Sequence, residues 1–227
     1  MKKYFFTISL FCIVCISCNN DNNDTSVSQE GVGVEVEDAG FYNLRVGNSW
    51  TYEYFRRDEF GNPSSEFSTT GIIEEQEIIA SQEINGEQIF TFQVTVSGVE
   101  ESSSNFPAED VATFQVKDSL GYLVRLNEGI IFSSENEQEY LRNDDLFEGV
   151  FGVLLNTQEA VEVPVGNFEC AVNEVYAMLT QEGDLSLGRD EYLYAEGIGE
   201  VLYRISFVFT ELHVFEQRLI DFSFQEQ

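Results

Sequence analysis

Apolar and polar side chains alternate along most of the chain from about residue 40 onward. Trp50, Tyr52 and Tyr54 alternate with Thr51, Glu53 and Phe55, and residues 89–97 place Phe90, Phe92, Val94 and Val96 on one side. A period of two sends successive side chains to opposite faces of a strand, so these stretches predict half-buried antiparallel strands. Residues 111–117 and 120–126 flank Asp118-Ser119, which predicts a tight hairpin there. Residues 161–165 lead through Pro164, Gly166 and Asn167 into a strand carrying Phe168, Cys170, Val172, Tyr176 and Met178 on one face. Gly197 and Gly199 turn the chain into residues 201–209, where Val201, Tyr203, Ile205, Phe207 and Phe209 share a face. Residues 218–224 align Ile220, Phe222 and Phe224. Residues 145–155 fit a short helix or a buried strand, and could plug the concave side of a sheet. The expected fold class is mostly β: one large curved antiparallel sheet, an open or half barrel, with little helix outside a signal peptide.

The first residues break this pattern. Lys2 and Lys3 precede an almost wholly apolar run, residues 4–16, which ends at Ser17-Cys18. That order is a secretory signal, and the run is too short to span a bilayer comfortably. Its end, Ile16-Ser17-Cys18, resembles the bacterial lipoprotein box, with Cys15 where leucine is usual. The resemblance implies that Cys18 receives a diacylglyceryl group, that cleavage occurs before it, and that Cys18 becomes the acylated, palmitate-bearing N-terminus. Cys12 and Cys15 then depart with residues 1–17 and are neither metal ligands nor a redox pair. Residues 18–37 read as the lipidated cysteine and a flexible acidic tether, being polar and short of large apolar side chains. Residues 38–227 read as a single antiparallel β domain. The polar residues after Cys18 also resemble surface-export signals on lipoproteins of the Bacteroidetes.

Charge narrows the partners. The sequence holds 41 acidic and 11 basic residues, a net charge of −30, and loss of the signal removes two lysines. Such a surface repels nucleic acid and anionic membrane surfaces, both of which are recognised through positive charge. Association with a membrane is therefore expected through the lipid on Cys18.

Candidate chemistry is sparse. Cys170 in Phe-Glu-Cys-Ala-Val has the setting of a small buried hydrophobe. His213, the only histidine, sits in a strand context near Glu211, and no Gly-x-Ser-x-Gly elbow presents a serine to it. One histidine and one free cysteine do not make a zinc site. Acidic pairs such as Glu74-Glu75 and Asp144-Asp145 follow from composition, and residues 143–148 read as a solvated loop rather than a calcium site. No catalytic residue, metal site or cofactor is assigned, and ligand-binding residues stay unknown.

Three elements carry a second resemblance. Residues 41–54 (FYNLRVGNSWTYEY), 161–176 (VEVPVGNFECAVNEVY) and 192–205 (YLYAEGIGEVLYRI) resemble motifs of uncharacterised secreted proteins and lipoproteins of the Bacteroidetes, with Asn43 where proline is usual. The resemblance implies an open or half barrel similar to lipoprotein carriers and no established activity. The expected function is a non-catalytic envelope lipoprotein, on the outer membrane and facing the periplasm or the surface. Its curved sheet would bind an apolar ligand or a partner protein. The alternatives are a structural or assembly component without a ligand and, third, a carboxylate-based hydrolase.

Overall fold

The computed structural model describes residues 40–98 and 110–225. The signal, Cys18 and the tether lie outside these residues. Twelve strands follow one another: β1 (Ser49–Arg57), β2 (Phe67–Ile84), β3 (Glu87–Ser97), β4 (Asp110–Ser119), β5 (Tyr122–Arg125), β6 (Gly129–Ser133), β7 (Tyr140–Asn143), β8 (Val150–Val163), β9 (Gly166–Ala177), β10 (Asp190–Ala195), β11 (Gly199–Ser206) and β12 (His213–Ser223). They form one sheet in the order β6-β5-β4-β3-β2-β1-β12-β11-β10-β9-β8-β7, and every neighbouring pair is antiparallel. The expected single curved antiparallel sheet is present.

Its two edges, β6 and β7, approach without a ladder of backbone bonds between them. Asn173 of β9 bridges the gap instead: its Oδ1 accepts the Ser133 N–H at 2.8 Å and its Nδ2 donates to the Ser133 carbonyl at 2.8 Å. Tyr140 Oη also donates to Asn173 Oδ1, at 2.7 Å. Both Asn173 and Ser133 are fully buried. An edge strand exposes unpaired N–H and C=O groups, and here a side-chain amide satisfies one residue's worth of them. The sheet is thereby nearly closed into a barrel.

Cross-strand partners share a face, so the register traces the inside of the barrel. Tyr54 opposes Gln217, Gln217 opposes Tyr203, Tyr203 opposes Tyr192, and Tyr192 opposes Asn173. Trp50 and Tyr52 extend this inner face towards the start of β1. Trp50, Tyr52 and Tyr54 are all buried, as the alternation predicts.

Antiparallel order also sorts the connections. Residue 40, the β2–β3, β4–β5, β6–β7, β8–β9 and β10–β11 connections and Gln225 lie at one end, the proximal rim. The β1–β2, β5–β6, β7–β8, β9–β10 and β11–β12 connections lie at the other, the distal rim.

Three local expectations are corrected. The β4–β5 turn is at Leu120-Gly121, two residues beyond Asp118-Ser119, because both central residues adopt left-handed φ, 55° and 80°. That is the turn whose twist suits a two-residue hairpin. Residues 145–155 contain no helix: 145–148 are exposed in a turn, Gly149 is buried, and the rest begins β8. The proximal end is plugged instead by Phe41, Tyr42 and Leu44, which join the core cluster. Finally, β11 ends at Ser206, so Phe207 and Phe209 leave the strand and are exposed.

Candidate functional site

Two regions of the barrel carry recognisable chemistry: the inside near the proximal rim, and the loops of the distal rim.

The inside is organised around Trp50. Its indole Nε1 donates to the Ile198 carbonyl at 2.6 Å. The neighbouring Gly199 has φ +101°, and a Cβ there would lie 3.3 Å from the indole nitrogen. Glycine is needed at this turn for its backbone conformation and for the close approach of the ring. The Gly197–Gly199 turn and the Gly-Asn-Ser-Trp stretch thus form one joint. Asn48 completes it: its Nδ2 donates to the Asn43 carbonyl at 2.9 Å and its Oδ1 accepts the Gln225 N–H at 2.9 Å. Asn43 has φ +49°, which proline cannot adopt. The departure from the resembled motif therefore coincides with a left-handed residue.

Beside Trp50 lies a cavity of about 50 Å³, lined among others by Tyr52, Phe92, Phe114, Tyr194, Gln76 and Glu200. Tyr194 Oη donates to Glu200 Oε2 at 2.9 Å, and Tyr52 Oη donates to the Glu200 carbonyl at 3.2 Å. Burial pushes the Glu200 carboxyl up to about 7, with the nearby Glu74 adding to the rise. Glu74 is itself buried and accepts from Tyr54 Oη and Gln76 Nε2, each at 2.7 Å. Burial also raises the hydroxyls of Tyr52, Tyr54 and Tyr194, so they remain protonated donors. The arrangement can hold a proton near neutrality. Its space suits a few waters, at about 10–15 Å³ each, rather than a substrate.

A wider concavity of about 440 Å³ opens at the proximal rim between Phe41, Phe168 and Ile198. Gln158, Asn167, Glu169 and Glu196 also line it. With Ala171 and Ala195 the lining is about evenly apolar and polar, and two of its polar groups are carboxylates.

Sequence-level candidates fall as follows. Cys170 is fully buried and its thiol is pushed up to about 12 by that burial, so it is held protonated. His213 Nε2 is 3.8 Å from Glu191 Oε2, at the margin of an ion-pair group in which Arg204 binds Glu159 at 2.6 Å and Glu191 at 2.8 Å. Glu74 is turned inward while Glu75 is exposed, because adjacent strand residues point to opposite faces. They do not form a carboxylate pair. Asp144 and Asp145 are exposed in the distal β7–β8 loop. Among the described residues no group of three or more His, Cys, Asp or Glu side chains is placed to hold a metal ion. Glu200 and Asn173 were invisible as candidates, since an isolated polar residue in an alternating strand carries no motif.

The distal rim differs in character. Phe60 (59% exposed), Leu146 (55%), Phe147 (54%), Leu187 (56%) and Phe209 (80%) project from its loops. These loops touch one another. Phe60 stacks on Phe207 at 5.7 Å, Leu187 N–H donates to the Val208 carbonyl at 2.9 Å, and Glu148 N–H donates to the Met178 carbonyl at 2.9 Å. The β1–β2 loop is held from within by Arg57, which donates to the carbonyls of His213 at 2.7 Å and Ser65 at 2.9 Å.

No protein-family profile and no curated protein sequence matches the chain. Among solved structures, it is similar to a candidate exported protein with a YmcC-like fold from Bacteroides fragilis. That similarity has a TM-score of 0.48 at 11% identity and covers 81% of this chain and 99% of that one. It is likewise similar to a candidate lipoprotein from Parabacteroides distasonis, with a TM-score of 0.48 at 9% identity, over 81% of this chain and 98% of that one.

Proposed function

We propose that this protein is a lipid-anchored, non-catalytic component of the bacterial cell envelope that binds a partner protein. The anchor is Cys18, reached by the signal pattern of residues 1–17 and joined to the barrel by residues 19–39. The choice of a protein over a lipid rests on the two concavities described above, one small and one with a mixed polar lining. Ordinary ligand pockets occupy about 300–1,000 Å³; the cavity beside Trp50 is about 50 Å³, and the proximal concavity of about 440 Å³ is lined by Gln158, Asn167, Glu169 and Glu196 as well as by apolar side chains. An acyl chain has no room beside Trp50. The small inner cavity also suits the alternative of a structural or assembly component of the outer membrane. The exposed aromatics of the distal rim favour a binding role, because contiguous apolar surface on a soluble domain marks interaction sites.

Two measurements test the reading. A palmitate analogue fed to producing cells is expected to label the protein and to leave Cys18→Ala unlabelled; undiminished labelling removes the anchor. Native mass spectrometry of the mature protein, followed by solvent extraction, is expected to find no stoichiometric lipid beyond the covalent one. A tightly held acyl ligand would instead restore the carrier reading.

A further inference from the structure

We infer that the distal rim is a docking surface for a basic protein segment bearing apolar side chains. This rests on the binding role proposed above and specifies where and with what chemistry it is exercised.

Three observations converge. The first is apolar: Phe60 stacks on Phe207, Phe209 is exposed two residues further along the same loop, and the loop of exposed Leu187 is bonded to that loop at Val208. The second is charge. The connections 58–66, 144–149, 178–189 and 207–212 hold nine acidic side chains and one base, Arg189, which faces Glu174 at 3.7 Å. An apolar patch within a net acidic field complements a segment that combines positive charge with large apolar anchors. The third is order. The Arg57 guanidinium ties the β1–β2 loop to the first residue of β12, and Ser186 Oγ accepts the Ala177 N–H at 3.0 Å and donates to the Gly188 carbonyl at 2.9 Å. Loops already fixed in place lose little freedom when a partner arrives.

The same observations disfavour other occupants. A bilayer with anionic headgroups repels the nine acids around the aromatics. A second copy of this rim would bring like charges face to face. Topology agrees: residue 40 joins the barrel at the proximal rim, so the patch lies at the end away from the point where the tether attaches.

The test uses the mature chain and an 18-residue peptide of leucine and lysine, with matched peptides carrying glutamate for lysine or serine for leucine. The leucine–lysine peptide is expected to bind best at about 0.1 M salt. Phe60→Ser with Phe209→Ser should weaken it at least tenfold. Asp144→Asn with Asp145→Asn and Glu148→Gln should weaken it and flatten its salt dependence. Leu120→Asn, on an exposed proximal turn, should change nothing. Binding that ignores the phenylalanines overturns the inference, since it would be attraction to bulk acid alone. Phe209-dependent capture by phosphatidylcholine vesicles, or a Phe209-dependent dimer, overturns it in favour of those occupants.

A photoreactive residue at position 209 or 120 of the anchored protein, irradiated in its own cells, separates the two levels of the argument. Crosslinking from 209 to a lysine- or arginine-bearing segment supports both. Crosslinking from 120 alone overturns the rim assignment, and crosslinking from 209 to a segment without bases overturns the basic partner; either leaves the binding role standing. No protein adduct at either position overturns both.

Discussion

The amide of Asn173 meets the backbone of Ser133 as a neighbouring strand would, accepting its N–H and donating to its carbonyl, both at 2.8 Å. The two residues are 40 positions apart and both fully buried. Asn173→Ala therefore strands three buried groups: the Ser133 N–H, the Ser133 carbonyl and the Tyr140 hydroxyl. Each such loss costs about 1–3 kcal/mol, so the total should exceed roughly 3 kcal/mol in urea unfolding. Tyr140→Phe removes one bond and should cost about 1 kcal/mol. Equal, small effects for both variants would show that Asn173 does not close the sheet.

The joint between Trp50 and Gly199 gives a second expectation. Trp50→Ala empties a buried aromatic site and should cost roughly 3–5 kcal/mol. Gly199→Ala strains a residue at φ +101° and presses on the indole, so it should destabilise as well. As Trp50 is the sole tryptophan, its emission should be blue-shifted in the native protein and poorly quenched by iodide. Free quenching in the native protein would place the ring at the surface.

Glu200 sets a pH dependence. Its carboxyl sits at about 7 in the folded protein against a reference of 4.5. The folded state thus keeps a proton that the unfolded chain releases. This contribution to stability is complete below about pH 4.5 and is lost as pH rises through 7, with a total on the order of 3 kcal/mol. The other carboxylates add their own slope, so the informative quantity is the difference between the parent and Glu200→Gln. That difference should shift in favour of the Gln variant between pH 4.5 and 7. A difference that is flat over this window would mean that Glu200 titrates normally.

Salt should stabilise the protein. The charge of −30 repels itself, and screening shortens from about 10 Å at 0.1 M to about 3 Å at 1 M. The melting temperature is expected to climb with sodium chloride. A flat curve would show the acids too dispersed for their repulsion to matter.

Much of this architecture was legible because β structure with one buried face writes itself as alternation. The Trp50–Tyr54 stretch and the strand around Phe92 needed nothing more. The β4–β5 turn was misplaced because leucine is a poor signal for a left-handed residue, yet Leu120 occupies one. Phe207 and Phe209 continued the apolar parity of β11 in sequence, and only the fold shows that the strand stops at Ser206 and leaves them outside. The Asn173 bridge and the acidic cavity depend on residues far apart in the chain, whose meeting no local pattern records. The distal rim emerges only once the antiparallel order assigns each loop to an end.

The place where the ladder is broken is not the place where the covalent chain is broken. Strands β1 and β12 are hydrogen-bonded neighbours in the middle of the sheet, and Gln225 reaches back to Asn48 at 2.9 Å. The missing rungs lie between β6 and β7. If residue 225 were linked to residue 40 and the chain opened within 134–139, the strands would run β7 through β12 and then β1 through β6. Every ladder partner would then be the next strand in sequence, and the molecule would be an uninterrupted up-and-down meander. In that sense the protein is a circular permutation of a simpler barrel, cut open halfway around from its own seam.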